Sequence, residues 1–277
     1  MVFADNLYYK CTPRGVFRNT GETPLVGDLV NITVIDEEKK EASLHTILPR
    51  KNSLARPPAA NIEQAIITVC VSEPAFNPGQ LDRYLLLAEE ACVDVLICVN
   101  KSSGESSLFE PYKLAGFDLV FTDALNGFGL GELKKHMEGK LNLFAGPSGV
   151  GKTSLINAIN PKLGLETGAL SKKTSRGKHT TRHTEIFSFG GCPEHEICEC
   201  SDDGFCFDTP GFSSLDFSHI KKESLGALFK EFLPYSHACK FTNCRHIKEV
   251  GCAVKEQVGK TIHSVRYESY MKIFESL

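Results

Sequence analysis

Over the first fifty residues, β-branched and aromatic side chains alternate with polar ones, a period of two that predicts strands at Leu7 to Lys10, Asp28 to Ile35 and Glu41 to Leu48. Gly and Pro punctuate them: Pro24-Leu25-Val26-Gly27-Asp28 turns the chain into the second strand, and Asp36-Glu37-Glu38-Lys39-Lys40 reads as a solvated hairpin tip. The prediction is a small antiparallel β unit that leans on its neighbour, because about fifty residues bury little core on their own. Pro49-Arg50-Lys51 and Arg56-Pro57-Pro58 mark a linker. Its basic residues are read as solvated, with a contact to a phosphate backbone as the alternative.

From Asn61 the period changes. Ala65 to Val71 is a continuous apolar run typical of a buried strand, and Leu81, Leu85, Ala88 and Cys92 share one helical face. Further strands are expected at Val93 to Val99, Asp118 to Thr122, Leu141 to Ala145 and Phe205 to Asp208, with helices at Leu130 to Met137 and Ser154 to Asn160. Strands interleaved with helices predict a parallel sheet covered on both faces, with ligands at the carboxyl ends of its strands. A last helical stretch is expected over Lys221 to Phe232.

The chemistry concentrates at those strand ends. Gly146-Pro147-Ser148-Gly149-Val150-Gly151-Lys152-Thr153 follows a predicted strand and opens a predicted helix with Ser154. Its glycines let backbone N–H groups turn in on phosphate oxygens, its lysine reaches the outer phosphates and its threonine hydroxyl is placed for magnesium. The strand ending at Val99 runs into Asn100-Lys101-Ser102-Ser103, where a base-reading loop of a GTPase would stand. Asp208-Thr209-Pro210-Gly211 ends another strand with an acid and a tight turn, suited to magnesium held through water by Asp208 and to a γ-phosphate touched by the Gly211 N–H. Between them, residues 171–183 carry Lys172, Lys173, Arg176, Lys178 and Arg182 in a polar segment that reads as a nucleotide-sensing switch loop, an RNA-facing loop or a solvated one.

Charge and composition then narrow the classes. A formal net charge of −3 leaves no global basic field, so any nucleic-acid contact must come from local patches. The residues from Met1 to Lys10 do not read as a signal peptide, and the longest apolar run is too short to span a bilayer; a cytoplasmic chain with no membrane partner is expected. Its eleven cysteines are then expected to be thiols or metal ligands rather than disulfides. Cys239, Cys244, His246 and Cys252 follow the spacing Cys-x4-Cys-x-His-x5-Cys in polar surroundings, which suits one structural zinc. Cys192, Cys198, Cys200 and Cys206 form a second group, read as buried thiols of a hairpin.

The order of these motifs, base loop before phosphate loop and Asp208 motif after it, is permuted relative to ordinary GTPases. With the N-terminal β unit and the C-terminal Cys3His group, it resembles the bacterial ribosome small subunit-dependent GTPase A family over almost the whole chain. The shared segments are Pro24 to Asp28, Pro49-Arg50-Lys51, Leu81-Asp82-Arg83, Gly146 to Thr153, Gly177 to Thr181, Asp208 to Gly211 and Cys239 to Val254.

The resemblance implies an α/β chain with an OB-like β-barrel at residues 1–58, a circularly permuted P-loop GTPase domain at 59–218 and a helical zinc-binding module at 219–277. It implies hydrolysis of GTP to GDP and phosphate, with magnesium at Thr153 and Asp208, stimulated by the small ribosomal subunit in its late maturation. Contacts to ribosomal RNA by both flanking modules, His179 as a switch residue positioning water, and Thr180 or Thr181 on magnesium belong to the same expectation, as does a monomer. A zinc-containing RNA-binding assembly factor with weakened hydrolysis is the alternative. Three departures stand out. Ser103 occupies the place of the family's aspartate, which removes a charged acceptor for guanine, a loss of about 1.5–3 kcal/mol. In the same base-reading region Thr122-Asp123-Ala124 stands where a Ser-Ala loop is usual; secondly, the β unit begins late and reads as lacking a first strand; thirdly, the Cys192 to Cys206 insertion lengthens the segment before the Asp208 motif.

Overall fold

The computed structural model of the protein describes residues 1–4, 7–13, 17, 23–55, 58–165, 185–188, 204–208 and 220–277. The N-terminal unit is a four-stranded sheet of β1 (Val2–Ala4), β2 (Leu7–Pro13), β3 (Val30–Asp36) and β4 (Glu41–Ile47), in the order β1-β2-β4-β3. All three expected strands are present. A short strand, β1, precedes them, so the sheet has four strands among the described residues where an OB-like barrel has five. The expectation of a wholly antiparallel sheet is corrected, because β2 pairs with β4 in parallel, Lys10 level with Glu41. That pairing joins segments with β3 between them in the chain, which period-two alternation cannot reveal.

The linker is more structured than its composition suggests. It forms a hairpin of β5 (Ser53–Ala55) and β6 (Pro58–Ala60). Arg50 is ion-paired rather than freely solvated: Nε donates to Asp28 Oδ1 at 2.7 Å and Nη2 to Asp28 Oδ2 at 2.9 Å. The Leu25 N–H donates to the same carboxylate at 2.6 Å, so the Pro24 to Asp28 turn and the linker are clamped together. Gly27, at φ +94°, lies where a Cβ would collide with the Ala60 carbonyl and press on the Phe207 ring. Phe3 packs edge-on against Phe205, ring centroids 5.8 Å apart. The β unit therefore rests on the strand that carries Asp208.

The central sheet has six strands in the order β11-β12-β10-β7-β8-β9. They are β7 (Gln64–Cys70), β8 (Asp94–Asn100), β9 (Asp118–Phe121), β10 (Leu141–Ala145), β11 (Glu185–Ser188) and β12 (Phe205–Asp208). Five run parallel; β11, not anticipated from sequence, adds an antiparallel edge. The helices are α1 (Pro78–Glu90), α2 (Glu110–Leu114), α3 (Leu130–Met137) and α4 (Lys152–Ile159). Successive strand residues point to opposite faces, so Ile67, Val69 and Val99 pack with Leu81, Leu85 and Tyr112, while Ile66, Cys98 and Phe144 pack with Leu133, Leu155 and Ile156. Cys92 lies outside this core: α1 ends at Glu90 and Cys92 is exposed at φ +53°.

The C-terminal unit contains α5 (Leu233–Ser236), α6 (Ala253–Glu256) and α7 (Ser264–Ser276). The helix expected over Lys221 to Phe232 is instead two 3-10 turns, Leu225–Leu228 and Lys230–Phe232. Phe229 breaks them with an extended backbone (φ −95°, ψ 92°), yet Leu225, Phe229 and Phe232 all reach the core, so the apolar spacing foretold burial rather than helix. This core also takes in Leu86 of α1, seating the C-terminal unit on the central one.

Candidate nucleotide and metal sites

The phosphate loop begins where β10 ends. Gly146 is buried against β7 at φ +132°, where a Cβ would collide with the Thr68 carbonyl. Gly149 and Gly151 also have left-handed backbones, at φ +82° and +93°. Their conformations turn the chain sharply into α4, whose first turn has Gly151 at its N-cap and no side-chain cap, leaving its N–H groups directed out of the helix end. Lys152 folds back over the loop, Nζ donating to the Gly146 and Pro147 carbonyls at 2.8 and 2.7 Å. Burial lowers its pKa to about 8. A partly desolvated ammonium beside an uncapped helix N-terminus is a setting that favours an anion. Thr153 and Ser154, on the first turn, are half-buried, and Ser148 is exposed.

Asn100 ties this loop to the neighbouring strand ends. It is 1 % exposed, and its Nδ2 donates to the Val150 carbonyl at 2.9 Å. Its Oδ1 accepts from the Thr122 hydroxyl and the Ala124 N–H, each at 3.3 Å. Gly151 has to be glycine here, since a Cβ would strike Asn100 Nδ2. Lys101, at φ +56°, lies along the loop, Nζ donating to the Gly149 carbonyl at 2.9 Å and the Glu73 carbonyl at 2.7 Å. Ser102 is buried and its hydroxyl donates to the Gly104 carbonyl at 2.7 Å, whereas Ser103 is exposed. Asp123 is occupied within its own turn, accepting from the Leu125 N–H at 2.9 Å and the Asn126 amide at 2.8 Å.

The third strand end belongs to β12. Leu143 of β10 is level with Phe207, so the Asp208 backbone stands beside the strand that feeds the phosphate loop. His179, Thr180, Thr181 and Gly211 lie outside the described residues, as do Cys192, Cys198 and Cys200. Cys206 is 1 % exposed in the core among Phe144, Leu155 and Phe187, as its reading as a buried thiol expects.

Cys239, Cys244, His246 and Cys252 converge, with ligand atoms all within 4.8 Å of one another. Cys239 Sγ is 3.9 Å from Cys252 Sγ and 3.6 Å from His246 Nδ1, which in turn is 3.3 Å from Cys252 Sγ. Tetrahedral zinc with Zn–S bonds of about 2.3 Å requires ligand separations of roughly 3.5–3.8 Å, so the four ligand atoms, all within 4.8 Å, would close on that ion with small side-chain shifts. His246 takes a left-handed backbone (φ +57°) and is buried, Tyr267 donating to its carbonyl at 2.7 Å. Burial and the neighbouring thiols push the Cys244 thiol up to about 12, so a bound cation would have to displace protons.

Sequence reasoning missed one buried cluster. Arg266 of α7 is 2 % exposed and binds both Glu231, with Nε 2.6 Å from Oε1, and Asp82 of α1. The available signal was an aspartate placed directly beside Leu81 on an apolar helical face.

Comparison with known proteins agrees with this geometry. The RsgA GTPase family model matches residues 47–218 and the RsgA N-terminal domain model residues 1–42. A relative from Alkaliphilus metalliredigens, named small ribosomal subunit biogenesis GTPase RsgA, is 41% identical over 272 residues, 96% of this chain and 89% of its own length. A protein of the same name from Bacillus subtilis is 38% identical over 97% of this chain and 89% of its own. Among solved structures, YloQ, described as a circularly permuted GTPase, superposes with a TM-score of 0.76 at 34% identity, covering 97% of this chain and 85% of that one. YjeQ from Thermotoga maritima gives 0.78 at 35% identity, covering 96% and 89%. On the family model and on relatives matched along nearly their whole length, the chain belongs to the RsgA GTPase family.

Proposed function

We propose that the chain hydrolyses GTP to GDP and phosphate and that the small ribosomal subunit stimulates this reaction during late maturation of that subunit. The observation that carries the reading is the Asn100 side chain, which joins the base loop, the phosphate loop and the loop after β9 through buried hydrogen bonds. Gly146 to Ser154 wrap the phosphates, Lys152 supplies positive charge, and Asn100 to Ser103 with Ala124 face the base. Thr153 and Asp208 would hold magnesium, which when bound would offset charge on the phosphates. His179 would place water, and the Thr180 hydroxyl would add a ligand to that ion. The relatives' shared name supports the ribosomal part.

Both flanking units contact ribosomal RNA in this reading, and the chain works as a monomer in the cytoplasm, where ribosomes mature. Among the described residues no helix is long and apolar enough to cross a membrane. Zinc at Cys239, Cys244, His246 and Cys252 is structural, since four protein ligands leave no position for catalysis.

The direct test is the hydrolysis rate of GTP and of ATP, each with and without purified small ribosomal subunits, with Lys152→Ala as the blank. A GTP-selective rate that rises severalfold on adding subunits is expected. Equal rates with ATP would show that Ser103 has cost the base loop its selectivity, and no stimulation would overturn the ribosomal reading.

Protonation of Lys152 gives a second test. The free site holds this lysine near 8 and phosphate favours its charged form, so binding takes up a proton at high pH. GDP affinity should be flat below pH 8 and fall above it, by about tenfold at pH 9. Lys152→Arg should remove that slope; a native profile identical to the arginine variant's would contradict the assignment.

Metal analysis of protein purified without chelator should give one zinc per chain. Cys252→Ser should lose it and lower the melting temperature through loss of the metal alone, since a serine hydroxyl can still take over the α6 cap that Cys252 Sγ provides to the Lys255 N–H at 3.5 Å. Full zinc occupancy in that variant would remove Cys252 from the ligand set.

A further inference from the structure

The contact between the C-terminal and central units is built around a buried charge. Arg266 lies between Asp82 of α1 and Glu231, with Nη2 also 3.2 Å from Glu231 Oε2. Aromatic rings from both units surround its guanidinium: Phe229 at 4.7 Å, and Tyr112 and Phe117 of the central unit at 5.4 and 5.6 Å. Asp82 is fully buried, and one cation faces two carboxylates. Such a cluster contributes little stability over an apolar replacement, because desolvation offsets most of the attraction. Its geometric effect is specific: a two-forked guanidinium fixes the register of α7 on α1 in a way that sliding aliphatic surfaces do not.

Both ends of this lock touch a site. On one side, α7 grips the metal loop directly: Tyr267 donates to the His246 carbonyl, and Tyr270, one turn beyond Arg266, donates to the Arg245 carbonyl. On the other side, Asp82 follows the first turn of α1. There Asn77, Gln80 and Leu81 line one small cavity with Pro147 and Val150 of the phosphate loop. Asn77 caps α1 by accepting from the Gln80 N–H at 3.1 Å, so the start of the helix is held rigidly. The segment before it is pinned to the phosphate loop by Lys101, which bonds Glu73 and Gly149 together.

We propose that Arg266 is a positioning residue for the nucleotide loop: through Asp82 it sets α1, and hence the Asn77 to Leu81 wall behind Pro147 and Val150, according to where the metal-bearing unit sits. Movement of that unit on a partner surface is thereby delivered to the phosphate loop along α7 and α1. This path does not use the Asp208 to Gly211 segment. The inference rests on the nucleotide-site reading above.

The test is GDP affinity in the free chain, measured with a fluorescent analogue for Asp82→Asn, Glu231→Gln and Leu86→Ala, alongside each variant's melting temperature. Asp82→Asn keeps the shape and removes the charge. Glu231→Gln changes only the C-terminal side, remote from the phosphate loop in sequence and in contacts. Leu86→Ala loosens the same interface by packing alone, since Leu86 is 1 % exposed in the C-terminal core. Both charge variants are expected to shift the GDP dissociation constant by about fivefold or more, while Leu86→Ala, with an equal or larger drop in melting temperature, leaves it unchanged. Unaltered GDP affinity in both charge variants would overturn the proposal, and so would shifts that follow the melting temperature across all three. Absence of GDP binding in the native chain would bring down the nucleotide-site reading itself, and the proposal with it.

Discussion

One buried amide holds the site together. The Asn100 side chain is almost sealed from solvent, and its donor and acceptor both have partners: the Val150 carbonyl on one side, the Thr122 hydroxyl and Ala124 N–H on the other. A buried amide left without partners would cost about 1–3 kcal/mol for each orphaned group, so the three strand ends are held at the spacing at which these bonds close. The glycine at 151 is a consequence, because a side chain there would displace the amide. Lys101 adds a parallel tie over the top of the loop.

Permuting the chain does not disturb this arrangement, because the strand ends meet in space whichever loop is cut. What it changes is which ends lead out to the flanking units. The N-terminal unit rests on β12 through Gly27 against Phe207 and Phe3 against Phe205. The C-terminal unit grips α1 through Arg266 and Asp82, and its Lys230 lies 3.5 Å above the Phe117 ring while bonding the Gly116 carbonyl. Each flanking unit therefore bears on an element one step removed from the phosphate loop, an arrangement suited to coupling an external surface to nucleotide chemistry.

Local patterns in the sequence carried a good deal of this. A strand, a Gly-rich loop and a helix are written consecutively between Leu141 and Ile159, and α3 and β10 fall where their apolar spacing places them. The Cys3His spacing likewise lies within fourteen consecutive residues, and its ligand atoms do converge. What escaped was long-range or conformational. The parallel pairing of β2 with β4 skips β3, Arg50 finds Asp28 across 22 residues and Arg266 finds Asp82 across 184, and no periodicity encodes such partners. The 3-10 turns at Leu225 and Lys230 share their apolar spacing with a helix, and only the extended Phe229 backbone distinguishes them.

Because Asn100 joins all three strand ends, the most direct measurement is the GDP affinity of Asn100→Ala, with its melting temperature recorded to establish that the variant is folded. Losing the amide removes this tie between the phosphate loop and its neighbours and orphans the Val150 carbonyl and Ala124 N–H, while the Thr122 hydroxyl keeps Cys98 Sγ at 3.3 Å. A loss of about 3 kcal/mol, roughly a hundredfold in affinity, is the expected result. A folded variant that binds GDP as tightly as the native chain would contradict the claim that this side chain assembles the site.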